Sequence, residues 1–208
     1  HLRPRRQRQM CIRDSSPTRF FIEEPVYDEF IKSFKSHVEA INVGDGLDSK
    51  STMGPLVADR RLEVMEDFIS DAISSGGEII SGGGRGQSPG SFFEPTLIRD
   101  VPDTAKIMIE EPFGPVAPSA SFSSIDEIIE RANSLPFGLA SYAFTSNPRT
   151  SQILKSEIES GMLAVNSMHI HSVETPFGGL KHSGYGYEGS IEGLEAFLVT
   201  KYSSEIYA

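Results

Sequence analysis

"SIDEIIERANSLPFGLASYAFTSNPRTSQILKSEIESGMLAV", Ser124 to Val165, switches between two hydrophobic periods, and that alternation decides the fold. Ser124 and Glu127 make a capping box ahead of Ile125, Ile128, Ile129 and Ala132, so the spacing predicts a helix there. Leu139 to Phe144 reads as a strand. Asn147 and Pro148 form an N-cap and first-turn pair that opens a second helix through Ile153, Leu154 and Ile158, and Met162 to Val165 is a second strand. Helices and strands alternating across short loops imply an α/β fold with a mainly parallel sheet flanked by helices.

Working outward, the same two periods recur. Phe20 to Ile22 is a short apolar run before Pro25; Tyr27, Phe30, Ile31, Phe34, Val38 and Ile41 then share one helical face, closed by Gly44. Leu62, Met65, Phe68, Ile69, Ala72 and Ile73 predict another helix, stopped by Gly76 and Gly77. Strands are expected at Glu78 to Ile80 and Phe92 to Ile98. A short helix near Ile191 to Glu195 precedes a final apolar run from Phe197 to Tyr202.

Composition narrows the function classes. The 208 residues suffice to bury a core, and no apolar run approaches the roughly 18 residues needed to span a bilayer. A single cysteine cannot form an internal disulfide, and five scattered histidines lack metal-ligand spacing, so the expectation is no metal and a cytoplasmic setting. Residues 1–13 hold five of the nineteen basic residues and no acid, which leaves 14 basic against 29 acidic residues in the remainder. A body at −15 repels nucleic acid and anionic lipid, so neither is an expected partner. The basic head, 1–14, reads as a foreign or disordered leader or as a genuine flexible arm; it has neither the apolar core of a secretory signal nor an amphipathic face.

Three glycine-rich stretches invite a phosphate-binding reading. Gly76 to Gly86, "GGEIISGGGRG", leads into Ser-Pro-Gly and a strand rather than a helix, which favours a surface turn, because a phosphate cradle needs helix amides aimed at the anion. Gly44 to Gly46 is a turn after a helix. "PFGGLKHSGYG", Pro176 to Gly186, is denser in glycine than a turn requires and is the strongest local signal of function.

"EEPFGPVAP" (Glu110 to Pro118), "ANSLPFGLASYAFT" (Ala132 to Thr145), "GMLAVN" (Gly161 to Asn166) and "PFGGLKHSGYGYEGS" (Pro176 to Ser190) occur in an ordered series, joined by "SPTRFF", "TMGPL" and "FFEPTLI". In order and spacing the series resembles the NAD(P)-dependent aldehyde dehydrogenases, over about residues 15 to 208. The resemblance implies the C-terminal portion of that fold: a partial catalytic domain over 15–196 and an oligomerisation strand over 197–208, which in the family pairs with a neighbouring subunit to form a homo-oligomer. It also implies that the Rossmann domain, the general-base glutamate and the asparagine that helps hold the oxyanion lie upstream of position 1.

The family chemistry uses a cysteine thiolate that attacks the aldehyde, loses hydride to nicotinamide, and is freed from the resulting thioester by a glutamate-activated water. In the family the nucleophile stands five residues before the arginine of the Ser-Pro-Thr-Arg stretch. Five before Arg19 is Asp14. Cys11 lies three residues too early, up to about 10 Å along an extended chain, and lacks the preceding Gly-Gln. A carboxylate cannot form a thiohemiacetal, so the chain by itself is expected to be inactive. The alternative within this resemblance is a non-catalytic pseudoenzyme or oligomerisation module. A hydrolase built on Cys11 is disfavoured, because no histidine is placed by motif to activate it.

Other site residues carry over by resemblance. Glu111 matches the carboxylate that holds the ribose hydroxyls beside the nicotinamide of NAD or NADP, and Phe113 the aromatic beside that ring; two acceptor oxygens suit a diol. Phe177 resembles a wall of the substrate tunnel. Glu188 matches a glutamate thought to assist proton relay, preceded by Tyr187 where the family commonly has arginine. "HSVETPFGG", His171 to Gly179, resembles the anchoring loop of the succinate-semialdehyde branch, with Ser172 or its neighbour His171 receiving a distal carboxylate. Other semialdehydes and simple aliphatic aldehydes remain open as substrates.

Overall fold

The computed structural model describes residues 15–86 and 88–207, which group into two compact units, one over 17–131 and one over 132–207 with residues 15 and 16. No helix among the described residues is long and apolar enough to cross a membrane.

In the first unit, β1 (Phe20–Glu23) passes through one 3-10 turn at Glu24–Val26 into α1 (Tyr27–Glu39). Next come α2 (Arg60–Ser74), β2 (Glu78–Ser81), β3 (Thr96–Arg99), α3 (Lys106–Ile109), β4 (Val116–Phe122) and α4 (Ile125–Asn133). The strands lie in the order β1-β4-β3-β2. β4 runs parallel to both β1 and β3, with Phe20 opposite Ser119 and Thr96 opposite Val116, and β2 is antiparallel to β3.

Alternation along β3 assigns the helices to opposite faces of this sheet. Leu97 packs with Ile22, Tyr27, Ile31 and Val38 under α1, while Ile98 packs with Leu62, Met65, Phe68, Ile69 and Ala72 of α2. Each such side chain, when fully buried, contributes about 1.5–3 kcal/mol before the entropy of ordering is set against it. The first helix stops at Glu39, short of Gly44, and Phe30 and Ile41 are not in the core; Phe30 instead meets Phe34 edge-on at 5.6 Å. The second helix stops where expected. Gly76 takes φ +112°, and the Gly77 amide donates to the Ala72 carbonyl at 2.8 Å.

One strand reading is corrected and one strand was not foreseen. The run Phe92 to Ile98 enters its ladder only at Thr96, because Pro95 has no amide to donate, and Phe93 makes an isolated bridge with Arg85. The central strand β4 carried no clear strand signal, since it comes directly after Pro115 and contains Pro118, residues that argue against a central strand.

The second unit contains β5 (Phe137–Gly138), β6 (Ala140–Ala143), α5 (Pro148–Glu157), β7 (Met162–Val165), β8 (Leu180–Lys181) and α6 (Ser190–Glu195). β6 and β7 pair in parallel through α5, with Ala140 opposite Met162, and β5 and β8 pair antiparallel. Asn147 caps α5 as its sequence implies: its side-chain oxygen accepts from the Arg149 amide at 2.9 Å and the Thr150 amide at 3.4 Å. Residues 198–207 form no strand within the chain, and Val199 and Tyr202 are almost fully exposed.

Candidate functional site

The two sets of candidate residues fall in different units. Glu111 and Phe113 lie on the turn between α3 and β4. The Glu110 amide ends α3 by donating to the Lys106 carbonyl at 2.8 Å, and Pro112 and Pro115 stiffen the turn beyond it. Pro112 is buried, whereas Glu111 is exposed and Phe113 leaves half its surface open. Phe113 is held at φ +41°, a left-handed conformation that a bulky side chain adopts only under constraint. The constraint is visible on both sides of it. Arg61 donates from Nη2 to the Pro112 carbonyl, and a Cβ at Gly114 would stand 2.2 Å from the sulfur of the buried Met65 side chain, which would have to shift. Beyond the turn, the Thr96 amide donates to the Pro115 carbonyl at 2.8 Å and leads into β4.

In the second unit the structure brings Phe177, Glu188 and His171 together. Phe177 is fully buried, and its amide donates to the Glu188 carbonyl at 2.7 Å while the Glu188 amide donates back at 2.8 Å. This two-bond bridge closes the glycine-rich loop at its ends. The His171 ring meets the Phe177 ring edge-on at 5.4 Å. Ser172 stands next to it in an exposed turn, where its amide donates to Thr175 Oγ1 at 3.0 Å and the two hydroxyls lie 3.4 Å apart. A hydrogen bond from the Ser172 side chain also draws the exposed Glu174 carboxyl below its usual value. Gly178 inside the loop and Gly161, just before β7, sit at close approaches. A Cβ on Gly178 would lie 2.3 Å from Tyr187 Cδ1, and one on Gly161 would lie 1.9 Å from the Gly178 carbonyl oxygen. The tyrosine that stands where arginine was expected therefore packs its ring over Gly178.

Cys11 and Asp14 lie outside the described residues. Arg19, the marker from which their register is counted, is mostly buried at the head of β1; that burial lowers its proton affinity, and the nearby Arg131 adds to the effect. It donates to the Arg131 carbonyl at 3.2 Å, and the two guanidinium groups flank the Phe21 ring at 5.4 and 4.7 Å.

Two residues that contact these candidate segments were not visible in the sequence. One is Arg61, in the first turn of α2. The other is Lys181, at φ +55°, whose ammonium group donates to the carbonyls of Asn133 at 2.8 Å and Leu135 at 3.1 Å and pairs with Glu159. It ties the end of α4 to the strand that leaves the Phe177 loop. A lysine four residues past a buried phenylalanine gives no sequence signal of that role, because both carbonyls come from a segment more than 40 residues away.

These features describe an α/β protein with an acidic-aromatic turn in one unit and a glycine-shaped aromatic loop in the other. The model of the Aldehyde dehydrogenase family matches residues 5–203, and the chain belongs to that family. It is 41% identical over 194 residues to a 4-(hydroxymethyl)benzenesulfonate dehydrogenase, TsaD1, of Comamonas testosteroni, covering 93% of this chain and 40% of that protein. The crystal structure of a succinate-semialdehyde dehydrogenase from Burkholderia pseudomallei superposes with a TM-score of 0.86 at 36% identity, over 88% of this chain and 38% of that one. A 3,6-anhydro-L-galactose dehydrogenase in complex with NAP gives a TM-score of 0.84 at 37% identity, over 88% of this chain and 39% of the other. The chain thus spans about two-fifths of the length of the relatives it matches.

Proposed function

We propose that this chain supplies the nicotinamide-side turn and the substrate loop of an NAD(P)-dependent aldehyde dehydrogenase that oxidises a semialdehyde, such as succinate semialdehyde, to its carboxylate. The observation that carries the reading is the backbone bridge between Phe177 and Glu188 with the His171 ring against the Phe177 ring, which joins the residues assigned to the substrate side in one unit. Relatives named for a semialdehyde of succinate and for a sulfonate support an acid group on the substrate.

The cofactor fits the residues present. The exposed Glu111 carries a carboxylate, whose acceptor oxygens suit a ribose diol, and the half-exposed Phe113 ring offers a flat apolar face to a nicotinamide. When bound, NAD or NADP supplies the hydride acceptor. Phe177 excludes water from one side of the aldehyde, Ser172 or His171 receives the distal carboxylate, and Glu188 passes a proton near the reacting centre. The thiol that would form the thiohemiacetal and thioester is replaced by Asp14 in the register counted from Arg19, so this chain binds without turning over. The exposed residues 197–207 pair with an edge strand of a second subunit.

Ligand-observed and amide NMR on the purified chain test the reading. Nicotinamide mononucleotide is expected to shift the amides of residues 110–114, and succinate those of residues 171–177. A titration that moves neither segment overturns the assignment.

A further inference from the structure

The geometry points to Arg61 as a positioning residue for the nicotinamide-side turn, an assignment that rests on Glu111 and Phe113 holding the nicotinamide riboside. Arg61 and Met65 stand four residues apart on α2 and so share one side of that helix. Each meets one of the two residues that bracket Phe113. Arg61 donates from Nη2 to the Pro112 carbonyl, and the fully buried Met65 lies so close to Gly114 that a Cβ there would displace its side chain. The turn is therefore seated at two points one helical turn apart, and Phe113, between them, is kept left-handed with its ring half in the open.

The chemistry of Arg61 separates this role from ordinary packing. Its Nε is buried and has no hydrogen-bond partner among the described residues. A methionine would fill the same channel with a similar stem and no unsatisfied donor, so stability of α2 alone does not call for a guanidinium. What the guanidinium adds is one directed bond to a carbonyl. That carbonyl belongs to the residue between Glu111 and Phe113, neither of which Arg61 needs to touch.

The test uses the full chain labelled with 4-fluorophenylalanine, with the Phe113 resonance assigned by its loss in Phe113→Leu. In Arg61→Met the Phe113 signal is expected to move while those of Phe68 and Phe93, in the core beneath α2, stay in place. The dissociation constant for nicotinamide mononucleotide is expected to rise about tenfold, the equivalent of one directed hydrogen bond. Arg61→Lys, which keeps a donor, should recover part of both effects. An unmoved Phe113 signal with unchanged affinity in Arg61→Met overturns the assignment. If the parent chain fails to bind the nucleotide, the reading of Glu111 and Phe113 falls, and the Phe113 signal still decides whether Arg61 seats the turn. Should Arg61→Met lose the Phe68 and Phe93 signals, Gly114→Ala disturbs the second point with Arg61 intact and must move Phe113; an unmoved signal there refutes the two-point seat.

Discussion

Lys181→Met removes an ammonium group from the point where the Phe177 loop is tied to the end of α4, and the structure sets the size of the effect. Two carbonyls, of Asn133 and Leu135, accept from that group at 2.8 and 3.1 Å, and bonds to a charged donor are each worth about 1.5–3 kcal/mol where water is excluded. The lysine side chain keeps 27% of its exposure and the Glu159 partner 54%, so the ion pair adds only about 0–1 kcal/mol, and water can replace part of the carbonyl bonds. Methionine retains the apolar stem. The net loss is about 2–3 kcal/mol, or roughly a 30- to 150-fold rise in the open fraction of the second unit. Amide hydrogen exchange reads this directly at His182, which donates to the Pro136 carbonyl at 2.9 Å, and at Gly161, which donates to the Gly138 carbonyl at 2.9 Å. The Val101 amide, bonded to the Ser119 carbonyl in the other unit, serves as the control. Unchanged exchange at His182 and Gly161 would show that the ammonium group holds nothing in place.

Tyr27→Phe deletes a hydroxyl that accepts from the Asp100 amide at 2.9 Å and lies 3.3 Å from Ser119 Oγ, both at the sheet; a loss of about 1–2 kcal/mol is expected in urea titration followed by amide signals of the first unit such as Val101. Phe177→Ala, which empties a fully buried site, should cost about 3–5 kcal/mol and release the amide of Glu188 to fast exchange. The Glu127 carboxyl lies below its usual range, chiefly because the Ser123 amide and then the Ser123 hydroxyl donate to it. A depressed folded-state value means that its support for the start of α4 is present above the unfolded carboxyl value and is lost as pH falls through the folded one. The Ser123 amide resonance should therefore move at a pH below that of a free glutamate, and a midpoint at or above the free value would contradict the geometry.

What could be read from the sequence was what local spacing controls. The cap of α5 at Asn147, the glycine stop after α2 and the parallel pair around α5 all arise from patterns within about a dozen residues, and the structure reproduces them. The strand β4 was hidden by Pro115 and Pro118, since a central strand defined by tertiary pairing overrides the local signal of proline. Glu111 and Phe113 could be located by motif, but the left-handed backbone at Phe113 could not, because the residues that meet its two neighbours, Arg61 and Met65, come from a helix about 50 residues earlier in the chain. The same holds for His171: its contact with Phe177 arises from a loop folding back over six residues that carry no periodicity. Lys181 and Arg61 act through carbonyl groups, which every residue has, and for that reason no residue pattern advertises their partners.

The most direct measurement is the rate of NAD(P)H formation by the purified chain with succinate semialdehyde and either NAD or NADP. With Asp14 assigned by the proposed reading to the position of the sulfur nucleophile, the account predicts no aldehyde-dependent signal above buffer. Reduced cofactor that accumulates with aldehyde, and disappears in Cys11→Ser, would place the working thiol at Cys11 and contradict it.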